Sequence, residues 1–234
     1  MMKLNKMKLF GMILGILLPL TSTHGAQASL ISGSAGVKGA VGGNYLSEPD
    51  GATGMVGIFT DGGGGVGGGG GIFGEIRLLN DHLGLEVDLL LDANKTWCDY
   101  NSVDFIIKYT DLRIPVLVKA STTKGILRLG VGIGPEIRIG LSASTEMDAP
   151  NNVDVSALTF TAVKRNDVAL AWELAFAINL KIIEITLDAR FSANLTLPKE
   201  YFDRNHFANA NSSIETEAAH SVDARILAGV AYVF

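Results

Sequence analysis

His220, Ser221 and Asp223 place an imidazole, a hydroxyl and a carboxylate within four positions, the set that a nucleophilic hydrolase combines. Their spacing works against that chemistry. Adjacent side chains of an extended strand point to opposite faces, so His220 cannot take a proton directly from Ser221. Gly62 to Gly71, GGGGVGGGGG, meets the G-x-G-x-x-G pattern of a dinucleotide cradle, but no strand-to-helix turn with a downstream acid accompanies it. The run reads as a flexible loop. Cys98 is the single cysteine, which excludes a disulfide framework, and nothing near it has the spacing of a zinc site. The acids of the expected loops, Glu48, Asp50, Asp61, Asp99, Asp104, Glu146, Asp148, Glu215 and Glu217, read as a solvated rim rather than a divalent-cation site. No catalytic residue, cofactor or metal is expected.

A second set of ionisable residues has a stricter spacing. Glu75 and Arg77, Glu86 and Asp88, Glu136 and Arg138, Asp188 and Arg190, and Asp223 and Arg225 stand two apart, and Lys38, Arg113, Lys119, Arg128, Glu173 and Glu184 fall in segments of the same alternation. These are eight acids and eight bases, a balance that suits a paired interior better than a solvated skin. Six of the bases are Arg, whose planar fork binds a carboxylate through two hydrogen bonds. Asp92, Asp111 and Asp167 are assigned to the rims.

The elements that must carry these charges are strands. Period-two alternation runs through eight segments, about 34 to 45, 70 to 80, 82 to 92, 109 to 120, 125 to 141, 167 to 179, 182 to 194 and 222 to 234. In the third, Leu83, Leu85, Val87, Leu89 and Leu91 lie opposite Glu86 and Asp88; in the fifth, Leu127, Leu129, Val131, Ile133, Ile137 and Ile139 lie opposite Arg128, Glu136 and Arg138. The gaps alternate in length. Those near 81 to 84, 121 to 125 and 179 to 182 are short, and those at about 46 to 69, 93 to 108, 142 to 166 and 195 to 221 are long. This is the rhythm of an all-β, eight-stranded antiparallel up-and-down barrel with tight turns on one rim and four long loops on the other; periodicity alone does not separate a barrel in water from one in a bilayer, and the balanced ionic face is what makes it a transmembrane β-barrel. Pro115 cannot donate to a ladder and by itself counts against a central strand there.

The flanks agree with a membrane destination. Residues 1 to 28 have Lys3, Lys6 and Lys8, an apolar run from Leu9 to Leu20 and a small-residue close at Ala26-Gln27-Ala28, the layout of a cleaved export signal ahead of a barrel domain at 29 to 234. Without it, 16 Lys and Arg stand against 24 Asp and Glu, a balance that opposes nucleic-acid binding. Tyr232 and Phe234 end the last alternating segment and read as a membrane-insertion signal for barrel-insertion machinery, with Tyr45, Tyr109 and Trp172 as further lipid-side aromatics.

GVKGAVGGNYL at 36 to 46, LGLEVDLLLDANKT at 83 to 96, YTDLRIPVLVK at 109 to 119 and GVGIGPEIRIG at 130 to 140 resemble strands of the small outer-membrane β-barrel family often called PorT-like. The resemblance implies an eight-stranded barrel in the cell outer membrane, with a local bulge at Pro115, and carries no agreed activity. Outer-membrane lipid is then the surrounding partner, and the loops face a partner whose identity stays open. The expected role is structural, adhesive or interactive. The alternatives are a narrow transport path for small solutes, a membrane enzyme acting on lipid or peptide, and a secreted barrel holding an apolar ligand.

Overall fold

The computed structural model describes residues 31–46, 63–100, 103–148, 161–162, 166–195, 202–203 and 221–234. Residues 1–28, read above as an export signal, and His206 and His220 lie outside them. Strands β1 (Ile31–Leu46), β2 (Gly63–Leu78), β3 (Leu83–Tyr100), β4 (Val103–Lys124), β5 (Leu127–Asp148), β7 (Asn166–Asn179), β8 (Ile183–Asn194) and β10 (Ser221–Val233) form one closed antiparallel barrel in sequential order. The two-residue strands β6 (Thr161–Ala162) and β9 (Phe202–Asp203) pair with each other apart from it.

Closure depends on β1 pairing with both β2 and β10, which leaves no barrel strand with an open edge. Partners followed once around the wall from Gly33, through Ile76, Leu85, Val118, Ile133, Trp172, Phe191 and Ala224, return to β1 at Gly43. That offset of ten residues inclines the strands by about 40° to the barrel axis, and eight strands so inclined leave a bore that side chains can fill.

The polarity is inverted relative to a barrel in water. Val41 is 64% exposed, Ile133 54% and Leu187 51%, whereas Glu184, Asp88 and Asp111 have no exposure. From Leu83 to Ala93 on β3, Leu112 to Ala120 on β4, Leu127 to Leu141 on β5 and Val222 to Tyr232 on β10, no outward position carries a charge. Only hydrocarbon makes such a surface favourable, because charge would be driven outward and these aliphatics inward in water. The chain is a transmembrane barrel.

Several features differ from the reading of the sequence. The glycine run belongs to a strand: Gly63 to Gly71 pair with Leu46 to Lys38 of β1, and Gly64 to Gly71 pair with Trp97 to Leu90 of β3. Strands β3 and β4 extend until only residues 101–102 separate them, so the long-connection rim carries three long connections and one tight hairpin rather than four loops. Register runs unbroken past Pro115, from Val87–Val116 to Leu90–Arg113 on one side and through Pro115–Glu136 on the other; the bulge lies instead at Thr110/Asp111. A missing ladder bond opposite Asp88 and Leu89 thus needs no inserted residue. Tyr109 is 8% exposed and faces inward, where its hydroxyl accepts a hydrogen bond from Asn44 Nδ2.

Candidate functional site

Strand parity aims the charges at one another. All sixteen residues singled out by spacing, Lys38, Glu75, Arg77, Glu86, Asp88, Arg113, Lys119, Arg128, Glu136, Arg138, Glu173, Glu184, Asp188, Arg190, Asp223 and Arg225, have buried side chains on the inner face of the wall. They stack in three clusters along the bore.

At the short-turn end, Arg128 meets both oxygens of Glu75 at 2.8 and 2.9 Å and donates to Glu184 at 2.8 Å. Arg77 joins the same two acids at 2.9 and 2.5 Å and reaches Ser34 Oγ at 2.8 Å. Two acids and two bases make this cluster neutral.

The middle cluster centres on Glu86. Lys38 Nζ stands 2.6 Å from it and Lys119 Nζ 2.8 Å, and Arg190 approaches at 3.3 Å. Lys119 also binds Glu173 at 2.8 Å, Lys38 binds Asp188 at 2.9 Å, and Arg190 binds Asp88 at 2.7 Å. Glu86, Glu173 and Asp188 lie close enough together to hold a cation. The Lys38, Lys119 and Arg190 side chains already supply positive charge there, so the arrangement does not call for a metal.

At the long-connection end, Arg113 contacts Asp92 at 2.9 Å, Asp223 at 3.2 Å and Glu136 at 3.4 Å. Arg138 donates to Glu136 at 2.5 Å and Ser192 at 2.6 Å, and stands 2.9 Å from Asp223. Arg225 spans from the Gly43 carbonyl at 2.8 Å to Asp92 at 3.0 Å and also meets Asn94. Asp92, Asp111 and Asp167, assigned to the rims, are 3%, 0% and 5% exposed and belong to this interior. They raise the buried acids to eleven against eight bases, with the surplus concentrated here. Their signal was parity, since each sits at the same spacing as the lumenal charges beside it.

The hydrolase set does not assemble among the described residues. Ser221 and Asp223 both face inward, Ser221 beside Arg138 Nη1 at 3.3 Å and Asp223 bound by Arg113 and Arg138. His82 stands exposed in the turn after β2, with Nδ1 3.1 Å from the Ser121 carbonyl. Tyr232 is 57% exposed and stacks against Phe234 with ring centroids 6.4 Å apart.

Fold and interior together define a class: a small transmembrane β-barrel whose bore is filled by ion pairs. The backbone is similar to Neisserial surface protein A, with TM-score 0.43 and 11% identity over 85% of this chain and 96% of that one. It is also similar to Ail, the attachment invasion locus protein of Yersinia pestis, with TM-score 0.34 and 10% identity over 86% and 99% of the two chains. The translocator domain of autotransporter NalP from Neisseria meningitidis matches at TM-score 0.34 and 12% identity, over 97% and 96%. No protein-family model and no curated protein matches the chain, so the PorT-like resemblance rests on the four segments quoted above.

Proposed function

We propose that this chain is a non-enzymatic protein of a bacterial outer membrane, a plugged barrel that anchors its long-connection rim at the cell surface for a structural, adhesive or partner-binding role. The observation that carries this reading is the cross-lumen lattice around Glu86, which joins β1, β3, β4 and β8 through Lys38, Lys119 and Arg190 at 2.6 to 3.3 Å. A bore crossed by such contacts is a rigid plug, because Glu86 is held by three cations and Glu173 by two in a low-dielectric interior. Export to an outer membrane is supported by the signal-like residues 1 to 28 and by the strand-built apolar belt, the architecture that outer membranes accept. The aromatic pair Tyr232 and Phe234 fits recognition by insertion machinery.

Three measurements on one preparation test the proposal. The expected results are an outer-membrane fraction whose band shifts on boiling, cleavage of intact cells within residues 47–62, and no steady conductance in planar bilayers. A stable open channel would move the assignment to the transport path, and recovery of the folded chain in the soluble fraction would overturn it.

A further inference from the structure

We propose that the outer face of β3 and β4 at the long-connection end is a docking site for the phosphate of anionic lipid headgroups, built on Lys95 and Lys108 beside Trp97; the inference rests on the membrane reading above. The two lysines are direct partners across β3 and β4, both at outward positions, since Asn94, Thr96, Ile107 and Tyr109 beside them are buried. Like charges directly opposite on neighbouring strands repel unless an anion lies between or above them. Glu146 supplies one, 2.5 Å from Lys108 Nζ, and the contact holds the Glu146 carboxyl below its usual range. Lys95 acts on Glu146 only at longer range and makes no ion pair within 4.0 Å among the described residues; its ammonium lies over the Trp97 ring, 5.0 Å from the centroid.

Depth selects the ligand. Twelve residues separate Leu83 at the short-turn rim from Lys95, which at ~3.3 Å per residue and ~40° tilt is about 30 Å along the membrane normal. That is the thickness of the hydrocarbon layer, so the lysines emerge at the level of headgroup phosphates, with Lys95 reaching outward along Trp97. Leu91 and Ala93 lie on the hydrocarbon side, and Asp99, Asp104 and Asp148 stand in register two rows further out. The positive band is therefore confined to one depth, where a phosphate attached to an acyl chain is held and a solute in bulk water is not favoured.

The chain contains two tryptophans, Trp97 and Trp172, which makes the site its own reporter. Trp172→Phe is folded into phosphatidylcholine vesicles with EDTA present, so that divalent bridging to the aspartates does not contribute. A minor fraction of brominated lipid, either phosphatidylglycerol or phosphatidylcholine, is then added. The expected result is a preference of about five-fold for quenching of Trp97 by the anionic lipid. K95Q/K108Q in the same background should remove that preference. The Trp97→Phe variant reports Trp172, which has no outward charge nearby and should be quenched equally by both lipids. Quenching of Trp172 by neither lipid would overturn the membrane reading itself. Equal quenching of Trp97 by both lipids, or a preference that survives K95Q/K108Q, would overturn the headgroup site alone.

Discussion

Lys38 on β1 and Glu86 on β3 meet at 2.6 Å although β2 runs between their strands. The contact exists because the residue of β2 opposite Lys38 is Gly71, which has no side chain to block the path. The Lys38 ammonium passes 4.4 Å from the centroid of Phe73, the next inward residue of β2, on its way to the middle cluster. The glycine run and the ionic plug are thus one construction: an inner wall without side chains lets Lys38 of β1 and Arg225 of β10 cross it to the acids of β3.

Lys38→Met leaves Glu86 and Asp188 short of a cation they now share, inside a bore with eleven acids and eight bases. Breaking a buried ion pair by removing one partner costs ~3–5 kcal/mol. The expected outcome is a lower urea midpoint for loss of the heat-shifted band in lipid vesicles. The variant should also show small, cation-selective currents in planar bilayers, because the uncovered charge is negative. Unchanged stability together with a silent bilayer would show that Lys38 is not structural to the plug.

Ile133 is one of the two central outward residues of β5 between Leu127 and Leu141, and it is 54% exposed. Ile133→Arg puts a cation near the membrane midplane and is expected to cost ~2–4 kcal/mol, while Leu127→Arg, at the short-turn rim, costs ~0–1 kcal/mol. Equilibrium unfolding in phospholipid vesicles measures both. Equal costs at the two depths would contradict a hydrocarbon environment for this face.

Much of this architecture was legible in the sequence because parity survives wherever side chains alternate in polarity. The eight segments, their antiparallel order and the inward placement of residues such as Glu86 and Arg190 all follow from it. Parity is silent in GGGGVGGGGG, where nothing alternates, so a strand read as a loop. It also misleads at strand ends. Beyond Ala93 and Thr110 the outward residues become polar too, as Lys95 and Lys108 show, and β3 and β4 appeared to stop early. Asp111 then looked like a rim residue and Tyr109 like a lipid-side aromatic, although both face inward. The cross-lumen partnerships, such as Arg225 with Asp92, connect strands distant in sequence, and no local spacing encodes them.

Gly71 is required for a second reason. A Cβ there would lie 1.8 Å from the Leu89 carbonyl oxygen, whereas at Gly64 nothing stands within 4 Å. Gly71→Ala must displace β2 from β3 and is expected to cost ~1–3 kcal/mol as an overpacked site. Gly64→Ala should be neutral. Refolding yield and urea midpoint of the two variants decide the matter, and a tolerated alanine at position 71 would show that the β2–β3 spacing relaxes freely.

Phe234 separates two roles that one residue can play. Its amide donates to the Gly33 carbonyl and its carbonyl accepts from the Gly33 amide, both at 2.9 Å, so its backbone continues the seam that closes the barrel. Its ring lies over Gly33, where an added Cβ would come within 2.5 Å of Phe234 Cε2. Phe234→Ala keeps both backbone bonds and removes only the ring; a chain stopped at Val233 loses both. If the ring is the feature that insertion machinery reads, Phe234→Ala refolds normally into vesicles but accumulates unfolded in cells, while the shortened chain is impaired in both settings. Normal assembly of Phe234→Ala in cells would remove the aromatic residue from the signal and leave seam closure as its contribution.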